Sequence, residues 1–261
     1  MSSSSSVMKK LGVFSVVMIT VGSVDSIRNL PASALLGSHL LSLYCIAALL
    51  FFLPAALVSA ELGSSDTQRG GIFGWVNYAF GPKAGLLAVW FQWTENLFWY
   101  PTILSFIAAS IGYLIAPQLA SNKLFICSVV ISVFWAVTLV NLCGIEISAI
   151  VASICTMLGL IVPMLVVIVM GVVWWHAGRT IHISLNWHSI WPNFHDQAMW
   201  TSLNAVILSL MGIEVAAVHS DSVNNPKRTY PLAIGISGLI LLSTLICGSL
   251  SIAAAVPHDK I

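Results

Sequence analysis

The sequence predicts an all-α integral membrane protein, and three observations carry that expectation. Of its 261 residues, 58% are hydrophobic and 7% charged, where a soluble domain carries about 25% charged residues. Ten Lys and Arg with nine Asp and Glu cannot build a polar shell over that much apolar surface, so the solvent must be lipid. Apolar runs of about 20 residues or more recur along the chain, each long enough for a spanning helix. The net charge of +1 supports neither a nucleic-acid partner nor an acidic one.

The elements follow in order. Residues 1–10, MSSSSSVMKK, form a short, polar, basic tail, expected on the cytoplasmic side. The next run is too long for a signal-peptide core and lacks a small-residue cleavage site, so it reads as a retained first helix. Seven spans are expected, at about 11–37, 39–61, 84–116, 122–143, 146–175, 199–220 and 230–256. The third and fifth are long enough to tilt or to extend beyond the bilayer. Between the second and third, GGIFGWVNYAFGPK is too short to cross. Its aromatics suggest an interfacial helix after a flexible double glycine. The longest loop, 176–198, holds Trp187, Trp191 and, past its first residue, three further histidines. His182, His188 and His195 fit no metal-ligand spacing, so no metal and no cofactor is expected. Cys45, Cys127, Cys143, Cys155 and Cys247 all fall in apolar runs and read as buried free thiols.

Orientation follows from the basic residues. With the N-terminus cytoplasmic, the inner side holds Lys9, Lys10, Arg69, Lys83, Lys227 and Arg228, and the outer side Lys123, Arg179 and Lys260. Six against three favours that orientation.

Four ionisable residues fall well inside spans: Asp25 and Arg28 in the first, Glu95 in the third, Glu214 in the sixth. Each costs ~2.5–3.5 kcal/mol at a helix centre, so each must be paired, hydrated or functional. On a continuous helix Asp25 and Arg28 would share a face and could pair. The alternative is a broken helix, with halves at 11–22 and 28–37 linked by VGSVDS. Unwound backbone is tolerable in lipid only where it lines a cavity or meets a ligand. The second half would then turn free N–H groups toward the gap, a seat for a carboxylate. In the sixth span, Gly212 interrupts the apolar run and Glu214 follows. Paired interruptions in spans five apart and oppositely directed point to the binding site of a secondary transporter. Glu95 lies about 11 residues into its span, near the midplane at ~1.5 Å per residue, with Arg28 as its expected partner. Trp90, Trp93, Trp99 and Tyr100 around it read as packing or as an aromatic gate.

These stretches also carry a family resemblance. GGIFGWVNYAFGP resembles the inner loop of the amino acid–polyamine–organocation transporters, and MGIEVAAVHSDSVNNPKRTYP that family's sixth span and following loop. SAELG at the end of span two and the broken SVDSIRNLP fit the same pattern. The resemblance runs from Lys9 to Pro257 and is nearest the bacterial glutamate/γ-aminobutyrate antiporter branch. It implies the leucine-transporter-type fold, with two inverted five-helix repeats. It implies transport or exchange of an amino acid such as glutamate, γ-aminobutyrate or a related small amino acid across the bacterial inner membrane. Carried over, the substrate contacts fall on Val24, Asp25, Ser26 and Ile27, with Arg28 beside them, and on Leu208, Ser209, Met211 and Gly212. Glu214 matches the acidic position beside the sixth-helix break, and with Glu95 it is a candidate for gating or proton coupling.

Two departures shape the expectation. Where many members have a glycine-rich break, this chain has Val24, Asp25 and Ser26. The extra carboxylate favours a substrate amine, and repels a second carboxylate unless Arg28 neutralises it. The family also has about twelve spans. Residues 11–177 thus make a first repeat, 178–198 an extracytoplasmic loop, and 199–261 the start of a truncated second repeat. The missing half, or another copy of the chain, is the expected protein partner. A non-transporting fragment and a seven-helix receptor-like protein are the alternatives. No HExxH, GxSxG or glycine-rich phosphate motif marks an enzyme.

Overall fold

The computed structural model describes residues 11–65, 71–184 and 186–257. The 1–10 tail with Lys9 and Lys10, Arg69, Lys260 and the side chain of His188 lie outside the described part. Helix α1 (Val13–Val24) and the short α2 (Asn29–Ala34) make up the first span. Then come α3 (Leu40–Ala47), α4 (Leu53–Ser64), α5 (Gly71–Phe80), α6 (Pro82–Ile115), α7 (Lys123–Leu142), α8 (Ile145–Thr156) and α9 (Val162–His176). A single turn, α10 (Trp187–Ile190), precedes α11 (Gln197–Ser209), a 3-10 segment (Val215–Ser222) and α12 (Pro226–Ala255).

Among the described residues, five helical rods are long and apolar enough to cross a membrane: Gly37–Ser64, Pro82–Ile115, Lys123–Leu142, Ile145–His176 and Pro226–Ala255. They match the second, third, fourth, fifth and seventh expected spans. The first and sixth are each divided into shorter pieces. The second half of the first is shorter than the expected 28–37, because the chain turns at Leu35 and Leu36 and passes through Gly37 at φ 55°.

Two rods contain a π turn, Ala48–Phe52 and Met157–Ile161, and in both a proline follows at once: Pro54 and Pro163. A proline ring clashes with the carbonyl four residues back. Widening the preceding turn relieves that clash without ending the helix.

The chain divides into two compact units. The first holds residues up to Gly71 and from Val151 on. Its hub is α12, which packs against α1, α2, α3, α4 and α9. Tyr230, Ala233, Ile234, Ser237, Leu241, Thr244, Leu245, Ser249 and Ala253 face inward along it. Membrane helices associate through close packing of small residues rather than through hydrophobic burial. Here a Cβ on Gly22 would strike the Thr156 side chain, and one on Gly171 would strike Ser251 of α12.

The second unit is Ile72–Ile150. There α6 and α7 form a helical hairpin through a 3-10 corner, Pro117–Ser121. Asn122 caps α7, its Oδ1 accepting the N–H groups of Leu124 and Phe125 at 3.0 and 3.2 Å. Tyr100 and Phe134 meet edge-to-face across the pair at 6.3 Å.

The five cysteines are free and exposed, not buried as the sequence suggested. In a membrane protein an apolar run has two apolar destinations, the core and the lipid. Four of these thiols lie on outward helix faces, and Cys143 lies at the turn that ends α7.

Candidate substrate site at two helix breaks

Helix α1 ends when the chain extends at Asp25 (φ −75°, ψ 145°), whose N–H is still held by the Val21 carbonyl at 2.8 Å. No further turn follows, so the carbonyls of Ser23 and Val24 have no partner from their own helix. The chain re-enters helix with Asn29 N–H on the Ser26 carbonyl (3.0 Å) and Leu30 N–H on that of Ile27 (3.1 Å). The N–H groups of Ile27 and Arg28 meet no acceptor among the described residues.

Asp25 is 6% exposed. Its Oδ1 accepts the Ser26 N–H at 2.9 Å, and its Oδ2 accepts the Thr244 hydroxyl of α12 at 2.7 Å. Arg28 is half-buried and has no hydrogen-bonding or ionic partner among the described residues. The Asp25–Arg28 pair that a continuous helix would allow does not form, because the helix ends where the chain extends at Asp25.

The second break follows α11. Leu210 N–H on the Ile207 carbonyl (3.0 Å) and Met211 N–H on that of Leu208 (3.4 Å) close the helix. Gly212 then takes φ 106°, a conformation that residues with side chains rarely adopt. The 3-10 segment opens with Val215 N–H on the Gly212 carbonyl at 3.1 Å. The N–H groups of Gly212, Ile213 and Glu214 meet no acceptor among the described residues.

The two breaks meet. A Cβ on Gly212 would lie 3.5 Å from Val24 Cγ2 and 3.7 Å from the Ser23 carbonyl oxygen. Beyond them, Leu11 N–H donates to the Ser222 carbonyl (2.7 Å) and Asn224 N–H to that of Leu11 (2.9 Å), a parallel backbone clip. The Tyr230 hydroxyl donates to the Ala216 carbonyl within the 3-10 segment.

A family model for amino acid permeases matches residues 11–261. The chain belongs to the amino acid permease family. It is 45% identical over 254 residues to an uncharacterized transporter of Legionella pneumophila, covering 97% of this chain and 54% of that one. It is 29% identical over 255 residues to the glutamate/gamma-aminobutyrate antiporter of Lactococcus lactis subsp. cremoris, covering 97% and 51%. It is 27% identical over 244 residues to the cadaverine/lysine antiporter of Escherichia coli K12, covering 90% and 52%. The chain thus spans about half the length of the curated relatives it matches.

This permease is a multi-pass, all-helical membrane protein, as its sequence implied. Of its expected site residues, Val24 and Asp25 are buried, and Ser26, Ile27, Arg28, Ser209, Gly212 and Glu214 are half-buried around the breaks. Leu208 and Met211 are exposed. Glu95 stands on an exposed face of α6, in the second unit.

Three permease residues at the breaks escaped the sequence reading: Ser33, Tyr44 and Thr244. The Tyr44 hydroxyl, fully buried on α3, lies 2.8 Å from Ser33 Oγ and 3.4 Å from Ser209 Oγ. It joins the far half of the first span to the near half of the sixth. The only sequence signal for Tyr44 and Thr244 was the presence of hydroxyls within two apolar runs, HLLSLYCIAALL and LLSTLICGSL. Tyr44→Phe is expected to weaken substrate affinity about fivefold to tenfold, the worth of a buried hydrogen bond of about 1 kcal/mol. Equilibrium substrate binding to the detergent-purified variant, with its thermal stability followed in parallel, checks this.

Proposed function

We propose that this permease chain carries amino acids across the bacterial inner membrane by secondary transport or exchange, binding the zwitterion across the two breaks. The meeting of the breaks at Gly212, Ser23 and Val24 supports this reading. The N–H groups of Ile27, Arg28, Gly212, Ile213 and Glu214, without acceptors among the described residues, suit a carboxylate, and the Ser23 and Val24 carbonyls suit an ammonium group. Glutamate, γ-aminobutyrate and related small amino acids are the first substrates to test, because the Lactococcus relatives are glutamate/gamma-aminobutyrate antiporters. The N-terminus is cytoplasmic, and Glu214 and Glu95 serve gating or proton coupling. The other half of the longer relatives, or a second copy, covers the exposed Leu208 and Met211.

The deciding experiment is counterflow in proteoliposomes preloaded with one amino acid, with labelled glutamate, γ-aminobutyrate, lysine and cadaverine outside. Accumulation of at least one label above protein-free vesicles is expected. Correctly inserted protein that accumulates none of them overturns the reading.

A further inference from the structure

We propose that Asp25 is a reversible proton-binding site inside the membrane, with the Thr244 hydroxyl as its hydrogen-bond switch. The inference deepens the transport reading and rests on it only for its physiological use.

Thr244 Oγ1 lies 2.7 Å from Asp25 Oδ2, 2.8 Å from the Ile240 carbonyl and 3.1 Å from the Leu241 carbonyl. A hydroxyl has one proton to donate and two lone pairs to accept with. With Asp25 ionised, the hydroxyl donates to Oδ2. With a proton on Oδ2, Asp25 donates to Thr244 Oγ1, and the Thr244 proton turns to the Ile240 carbonyl. Both protonation states are fully hydrogen-bonded with no heavy atom displaced, and Oδ1 keeps the Ser26 N–H in each. The proton comes from water and returns to it.

The surroundings allow the exchange. A carboxylate paired with arginine is held ionised by the opposite charge, but both partners of Asp25 are neutral. Around Thr244, α12 offers Ile240, Leu241 and Leu245, none of them charged. Helix α11 carries no charged residue. The titratable groups on the elements packed about the break include Tyr44 of α3, within electrostatic reach of Asp25, Cys45 on the same helix, Arg28 on its own segment, Glu214 at the second break, His219 in the 3-10 segment, and Lys227, Arg228, Tyr230 and Cys247 of α12. None of them is in hydrogen-bonding or ionic contact with Asp25. The site also lies where the two breaks meet, so its charge can respond to whatever occupies them.

The test is an infrared pH titration of the purified chain in lipid nanodiscs, which needs no transport. A protonated-carboxyl C=O stretch should grow in as pH falls and be missing in Asp25→Asn. Thr244→Val should displace that band, and Thr244→Ser should restore it, which separates a hydrogen-bond switch from a packing role and stands even if Asp25→Asn fails to fold. A band unchanged in Asp25→Asn, a spectrum without such a band at any pH at which the protein stays folded, or a Thr244→Val band identical to the parent overturns the proposal. Failure of counterflow with this titration intact would sink the transport reading and leave the proton site standing.

Discussion

Gly212→Val is expected to abolish exchange while the helices stay intact. At φ 106° a β-branched residue is strained by about 1–3 kcal/mol. Its Cβ would start 3.5 Å from Val24 Cγ2, and its two further methyl groups have to enter space that the first break already occupies. Either the sixth-span break relaxes to another backbone path or the first is pushed away. Both outcomes separate the groups proposed to hold one ligand. If the strain is drawn from binding, about 2–3 kcal/mol is roughly a hundredfold in affinity. Counterflow in proteoliposomes measures the loss, with circular dichroism and a monodisperse elution profile as controls. Gly212→Ala, strained but less crowded, should fall between. Parental exchange by the valine variant would remove the sixth-span break from the site.

Arg28→Ala should come close in severity. A guanidinium inside a span costs ~2.5–3.5 kcal/mol at a helix centre, and among the described residues no carboxylate offsets that cost, since Asp25 is held by Thr244 and Ser26. A cation and two N–H groups, at residues 27 and 28, that have no partner among the described residues make a ready site for an anionic ligand. Losing one charged hydrogen bond costs about 1.5–3 kcal/mol, which is about tenfold to over a hundredfold in affinity. Glutamate should suffer more than cadaverine, which has no carboxylate. Arg28→Lys should recover part of the loss, because a point charge replaces a planar fork. Membrane insertion should not fall. Equal losses for glutamate and cadaverine would show that Arg28 braces the fold and does not read the ligand.

Much of this was legible in the sequence, for identifiable reasons. Apolar run length located the continuous rods to within a few residues. The stretch VGSVDS, with Gly22, Ser23 and Ser26, announced the first break, although α1 runs two residues further than the expected 22, to Val24. Gly212 announced the second. The start of α12 was placed four residues late, at 230, because apolar counting ignores Pro226, which suits a first helical turn, and Asn225 before it at φ 47°. What Asp25 binds was not legible. Its partner is 219 residues away, and a threonine in an apolar span usually bonds its own helix four residues back. Tyr44 was missed for the same reason. The buried-thiol reading of the cysteines failed because hydrophobicity does not tell core from lipid.

The clip between Leu11 and residues 222–224 is made wholly of main chain. Two such bonds amount to about 1–3 kcal/mol together, a threshold that any separation of these two segments must cross. Because no side chain takes part, the sequence at these positions is free to drift while the closure persists. A lock of this kind is inherited through the path of the backbone, and a comparison of residue identities alone would pass over it.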